Sequence, residues 1–222
     1  MPSTDFLSEL EELKNERLRA LTTDGAASLG SGGAGGGEAG GQVRLLQIAL
    51  ANEISVSELA AAWMPSTPEV DIKIALARQA GDEARHFQLV EDRLRSLGFD
   101  VGSFTPPGPN PLFEYLKSLP TSVERVAAGL FTLESIAYNV NENFMRLCEQ
   151  RGDQETVRIY RDFIQPDEMA HQRLGAALLR EHATTAELRE KARQAVLKTM
   201  EIAAAQRATA AARIGTACFP GC

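Results

Sequence analysis

Two stretches carry the residues best suited to chemistry. "AGDEARHFQLVEDRL" (80–94) contains Glu83-x-x-His86, and "QPDEMAHQRLG" (165–175) contains Glu168-x-x-His171. Aspartate precedes each glutamate, as Asp82 and Asp167. Both pairs fall on inward-facing helical stripes: Ile72, Leu76, Gln79, Glu83, His86, Val90, Leu94 in one, and Val157, Ile164, Glu168, His171, Gly175, Leu178 in the other. Two further stripes each bring one carboxylate: Leu46, Ala49, Leu50, Glu53, Ala60, and Ala127, Leu130, Glu134, Ala137, Asn141, Met145. A buried, isolated carboxylate costs several kcal/mol or more. Four of them call for about four positive charges, and no Lys or Arg stands on these stripes. Two divalent cations supply that charge, with two imidazoles completing the coordination. Oxygen and nitrogen ligands without sulfur suit iron or manganese. Asp82 and Asp167 each stand four residues before a histidine, so each is expected to hydrogen-bond the nitrogen of that histidine that faces away from the metal.

The elements that must hold these side chains read as helices almost throughout, with no strand pattern. Residues 1–23 form an amphipathic N-terminal helix, and the glycine-rich stretch 24–41 reads as a flexible linker. The main helical domain spans 42–215. Its first helix ends near 63. Thr67 is expected to cap the second, with Pro68 at its first position, and Gly98 to stop it. A short helix follows near 112–119. Thr121 and Glu124 have the spacing of a capping box opening the third long helix, and Asp153 caps the fourth. Pro166 is expected to kink that fourth helix one turn before Glu168. Thr184 and Glu187 repeat the capping-box spacing before a fifth helix, which is expected outside the bundle or at a homodimer contact. The expected architecture is all-α: a four-helix bundle with an extra helix at each end.

Composition narrows the functions. The chain has 222 residues, a formal charge of −7 and three cysteines. The acidic balance argues against a nucleic-acid partner, since that affinity rests on Lys and Arg. No apolar run reaches the roughly 20 residues that span a bilayer, and the N-terminus lacks a signal-peptide plan, so a cytoplasmic protein without a membrane partner is expected. Cys148, Cys218 and Cys222 are too few for a disulfide framework; Cys218 and Cys222 are expected as free thiols on a frayed tail, 216–222. The glycine-rich stretch has no Gly-Lys-Ser/Thr after it and is no P-loop. His182, without the aspartate prefix and near a helix end, reads as a surface histidine.

Over about 42–183 the ligand order Glu53, Asp82-Glu83-x-x-His86, Glu134, Asp167-Glu168-x-x-His171 resembles the ferritin-like di-iron carboxylate proteins. It looks most like their dioxygen-activating branch. That branch includes multicomponent monooxygenase hydroxylase subunits, the phenylacetyl-coenzyme A epoxidase catalytic subunit and a tRNA hydroxylase. Ferritin proper usually lacks the second histidine. Rubrerythrins carry a glutamate where this chain has Ala137, and ribonucleotide reductase radical subunits begin with aspartate where it has Glu53. The hydroxylases often place threonine where it has Tyr138.

The resemblance implies a centre of two Fe ions, or a Mn/Fe pair, with O2 as co-substrate. Glu83 and Glu168 would bridge, Glu53 and Glu134 would be terminal or bridging, and His86 and His171 would each hold one metal. It also implies a small organic substrate and an external reductase or ferredoxin, no flavin or NAD motif being present. Tyr138, one turn from Glu134, is the candidate catalytic side chain. The competing readings are a ferroxidase or peroxide-scavenging metal-handling protein, and a tRNA-modifying hydroxylase.

Overall fold

The computed structural model describes residues 5–30, 38–105, 108 and 110–221. The helices in chain order are α1 (Phe6–Gly30), α2 (Glu38–Trp63), α3 (Val70–Ser96), α4 (Pro111–Lys117), α5 (Ser122–Val126), α6 (Glu134–Gln150), α7 (Gln154–Ile159), α8 (Gln165–His182) and α9 (Ala186–Ile214). Two π-helical segments, Ala127–Leu133 and Tyr160–Ile164, join α5 to α6 and α7 to α8 without a break. The four helices of the bundle are therefore α2, α3, α5–α6 and α7–α8, and no strand occurs among the described residues. The helices take up both ends of the glycine-rich stretch: α1 runs on through Gly30 and α2 starts at Glu38. The rest of the expected linker, 31–37, lies outside the described residues.

Local signals explain most helix ends. Thr121 and Glu124 form the expected capping box, each side chain accepting from the other's backbone N–H. Asp153 accepts from the Thr156 N–H, and Gly98 and Gly152 take the left-handed conformation that stops a helix, at φ +82° and +74°. Two expectations shift. Helix α3 starts at Val70, and Thr67 does not cap it. The Thr67 hydroxyl donates to the Trp63 carbonyl (2.9 Å) and accepts from the Arg125 guanidinium (3.3 Å), so it is already engaged. Before α9 the capping hydroxyl belongs to Thr185, which accepts from the Leu188 N–H, one residue later than the spacing suggests.

Pro166 stands in the first turn of α8, directly after the π-helical segment Tyr160–Ile164. A widened turn there accommodates a residue with no N–H to give.

The apolar core is split into two clusters. One gathers Leu10, Trp63, Leu76, Phe131, Leu178 and Val196, the other Leu46, Leu50, Val90, Phe144, Ile164 and Phe219. Glu53 lies between Leu50 and Val56, Glu83 and His86 between Leu76 and Val90, and Glu168 and His171 between Ile164 and Leu178. The ligand candidates thus form a polar layer between two greasy ones. Helix α1 joins the first cluster through Leu7, Leu10 and Leu18. Its Lys14 ammonium donates to Ser135 Oγ (2.9 Å) and sits 3.8 Å above the Phe131 ring.

The C-terminal tail is not frayed. Cys218 and Phe219 are buried, and Arg207 donates to the carbonyls of Ala217, Phe219 and Gly221 at 3.3, 2.9 and 2.8 Å. Its guanidinium also stacks 4.0 Å from the Phe219 ring, and the Gly221 N–H donates to Asn141 Oδ1 (3.0 Å). One planar, multi-donor side chain can satisfy several carbonyls at once, and that holds the tail against the bundle. Cys222 lies outside the described residues.

One stretch, Gly41–Ser66, is long and apolar enough to cross a membrane by length and composition alone, contrary to the sequence expectation. Its Leu45, Leu46, Ala49, Leu50, Val56 and Leu59 belong to the core, and it carries Glu53.

Candidate metal centre

All six expected ligands meet. Glu53 comes from α2, Glu83 and His86 from α3, Glu134 from the first position of α6, and Glu168 and His171 from the start of α8. The last two helices deliver their ligands just after a π-helical segment, where the wider turn rotates the side chains that follow. In the first segment the Thr132 hydroxyl donates to the Ala127 carbonyl five residues back (2.7 Å), satisfying a group in the widened turn.

The side chains form two overlapping sets: Glu53, Glu83, His86 and Glu168, and Glu83, Glu134, Glu168 and His171. Within each set one ligand atom per residue lies within 4.8 Å of the others. Glu83 and Glu168 belong to both. His86 Nδ1 lies 3.3 Å from Glu83 Oε2 and 3.6 Å from Glu53 Oε2. His171 Nδ1 lies 3.4 Å from Glu83 Oε1 and 3.8 Å from Glu134 Oε2. The two oxygens of Glu83 therefore face opposite imidazoles, the disposition of a bridging carboxylate.

All six residues are at most 5 % exposed, so water cannot neutralise them. Glu83 Oε1, Glu168 Oε2 and His171 Nδ1 have no hydrogen-bond partner among the described residues. These are the atoms a cation would take. Buried orphans of this kind are rare in a finished fold and call for an explanation. A donor set of carboxylate oxygens and imidazole nitrogens fits a divalent metal ion, and the clusters can hold one.

Titration behaviour follows from the crowding. Burial pushes the Glu53 carboxyl up to about 8, against the opposing pull of His86. Burial, with the charges of Glu134 and Glu83, pushes Glu168 well above the carboxylate range. Burial would also raise Glu83, but hydrogen bonds from His171 and His86 hold it low. Burial would depress the imidazoles, yet Asp167, Glu53 and Glu83 raise His86 to about 12, and Glu134 and Glu83 raise His171 to about 11. Protons thus stand in for part of the cation charge in the metal-free centre.

The aspartates pair crosswise. His86 Nε2 lies 3.1 Å from Asp167 Oδ2, and His171 Nε2 lies 3.0 Å from Asp82 Oδ2. The sequence spacing pairs each aspartate with the histidine of its own helix; the structure pairs it with the histidine of the other. With Nδ1 turned to the centre, Nε2 points across to the neighbouring helix. Helices α3 and α8 run antiparallel, so the residue level with each imidazole is the other helix's aspartate. The same seam pairs His182 Nε2 with Asp71 Oδ2 at 2.7 Å. All three histidines of the chain are thereby matched to aspartates across α3 and α8.

Tyr138 is partly exposed; its carbonyl accepts from Gln165 Nε2 (3.0 Å), and its hydroxyl makes no hydrogen bond to a ligand residue among those described. Two other residues at the centre gained no role from sequence. Gln79, 1 % exposed, donates its amide to Glu134 Oε1. It stood on the inward stripe, which was its only signal. Tyr160 is fully buried, its ring edge-on to Phe144 at 5.0 Å, and its hydroxyl has no partner among the described residues. Burial, with the nearby charge of Glu53, pushes its phenol well above the usual range.

Fold and site together define an all-helical bundle with a buried carboxylate–imidazole centre able to hold metal. The chain belongs to the DUF455 family of proteins of unknown function, whose model matches residues 48–214. A solved domain of unknown function with a heme oxygenase-like fold, from Shewanella denitrificans, is similar in structure: 12 % identity, 99 % of this chain and 100 % of that one covered, TM-score 0.67. That likeness establishes an all-helical, heme oxygenase-like fold. No curated protein sequence matches the chain.

Proposed function

We propose that this protein is a non-haem di-iron oxidoreductase that activates dioxygen to hydroxylate or otherwise oxidise a small organic substrate, with electrons from a separate reductase or ferredoxin. The observation that carries this reading is the pair of buried, overlapping Glu/His sets sharing Glu83 and Glu168. Glu83 and Glu168 would hold both metals, His86 and Glu53 one of them, and His171 and Glu134 the other. When bound, two iron ions supply the reducing equivalents and Lewis acidity that dioxygen chemistry needs. The chain's own part is to hold ligands and protons. Asp167 and Asp82 fix the imidazole tautomers with Nδ1 inward. Bridging carboxylates can move between one metal and two as charge changes. The apolar layers above and below keep bulk water away from the polar one.

A second reading is a ferroxidase or peroxide-scavenging protein, favoured by the near-complete burial of all six ligand residues. A cavity of about 390 Å³ lies between α1 and α9, lined by residues such as Arg17, Leu21, Met200 and Ala204, with no ligand residue in its lining. Oxygen uptake separates the two. Metal-stripped protein is mixed anaerobically with increasing Fe²⁺ and then exposed to O2. An oxygenase-type centre oxidises about two Fe²⁺ per chain, stops, and resumes only with added reductant. Continued oxidation far beyond that ratio without reductant would overturn the oxygenase reading for the metal-handling one.

A further inference from the structure

We infer that the two halves of the centre are inequivalent, and that Gln79 makes the His171 half the one that takes its cation first and holds it more tightly. This rests on the metal centre proposed above. The halves are related by an internal correspondence: Asp82, Glu83 and His86 match Asp167, Glu168 and His171, and Glu53 matches Glu134. In the same register Gln79 matches Ile164, and Ala75 matches Tyr160. All four are buried. The repeat therefore breaks in the turns just before the ligands, and it breaks in polarity.

Gln79 stands one turn before Glu83 on α3, and its Nε2 donates to Glu134 Oε1. The other oxygen of Glu134 is the one nearest His171 Nδ1, at 3.8 Å. The amide thus occupies one carboxylate oxygen and leaves the other turned toward the imidazole. A terminal ligand held this way loses little freedom when the cation arrives. The corresponding residue for Glu53 is Ile164, which has no hydrogen to donate. Gln79 also keeps a buried Oε1 with no partner among the described residues. That acceptor gains a donor when a hydrated cation occupies the neighbouring half. Both features favour loading on the His171 side. Gln79 acts through Glu134 and is a positioning residue.

Mn²⁺ titration of metal-stripped full-length protein tests this, followed by calorimetry and by electron paramagnetic resonance of the bound ion. Wild type is expected to bind in two steps of unequal affinity. His171→Ala removes the tight step and His86→Ala the weak one. Gln79→Leu weakens the tight step by about 10–100-fold, the usual cost of losing a residue that supports a ligand, and leaves the weak step in place. Gln79→Met, closer in shape, serves if the leucine variant unfolds on circular dichroism; the two histidine variants assign the steps independently. Two equal steps, a tight step that survives His171→Ala, or equal weakening of both steps by Gln79→Leu overturns the inference while sparing the metal centre. Absence of any buried Mn²⁺ overturns the centre itself.

Discussion

Gly175 offers a sharp test of how the bundle holds its ligands. A Cβ built there would lie 2.7 Å from the Phe131 backbone nitrogen, 2.8 Å from the Leu130 carbonyl carbon and 3.0 Å from Leu130 Cβ. Ordinary contact begins near 3.4 Å, so α8 and the π-helical segment Ala127–Leu133 must part by several tenths of an ångström. Two of the three atoms are backbone and cannot swing aside. Overpacking of this kind costs about 1–3 kcal/mol. Alanine in place of a helical glycine returns about 0.5–1 kcal/mol. Taking the middle of each range, Gly175→Ala should therefore destabilise by about 1 kcal/mol, a fall in Tm of about 2–4 °C for a chain of this length. Because His171 and Glu168 lie one and two turns upstream on the same helix, the displacement should also weaken cation binding. Gly81→Ala is the control, with nothing within 4 Å of its Cβ; it should gain about 0.5–1 kcal/mol. Calorimetric unfolding of the metal-free variants measures both. A Gly175→Ala protein as stable as wild type, or a Gly81→Ala protein equally damaged, would refute the packing argument.

Other tests follow from the same geometry. The crossed aspartates predict that, in metal-free thermal unfolding, Asp167→Asn couples with His86→Ala and is additive with His171→Ala; the reverse would restore pairing within each helix. The raised His86 and His171, at about 12 and about 11, and Glu53, at about 8, keep protons on the metal-free centre at neutral pH. A binding cation must displace those protons, and their displacement costs less as pH rises. Cation affinity should therefore increase from pH 6 to 8 with proton release, measured by calorimetry in buffers of different ionisation enthalpy, and a flat profile would contradict it. Arg207→Ala removes the donor to three tail carbonyls; limited proteolysis should then cut the tail after Ile214 faster than in wild type, and equal rates would show the clamp to be dispensable.

The ligand set was readable because metal binding imposes residue types and helical spacing at once. Glu53, Glu83, His86, Glu134, Glu168 and His171 stand on apolar stripes where a carboxylate has no other excuse. Partner choice was less readable. Asp82 and His86 share a helix face, so periodicity suggested a local bond, whereas the antiparallel approach of α3 and α8 makes the cross-helix aspartate the near one. Periodicity also assumes a constant turn, so neither π-helical segment could be foreseen, nor the burial of Tyr160 in one of them. Thr67 has the residue type of a cap, but Arg125, 58 positions away, occupies its hydroxyl. The tail looked mobile because nothing local anchors it; its anchor is Arg207 on α9.

In the proposed centre six inward side chains hold two divalent cations. The most direct measurement is Mn²⁺ binding with thermal unfolding on the same samples, in wild type and in Glu83→Ala/Glu168→Ala. Two cations per wild-type chain are expected, with a stabilisation of about 2.7 kcal/mol from each site at one hundred times its dissociation constant, about 5.4 kcal/mol for both, and neither in the double variant. A double variant that binds and is protected as wild type is would contradict it, as would a wild type that binds no cation.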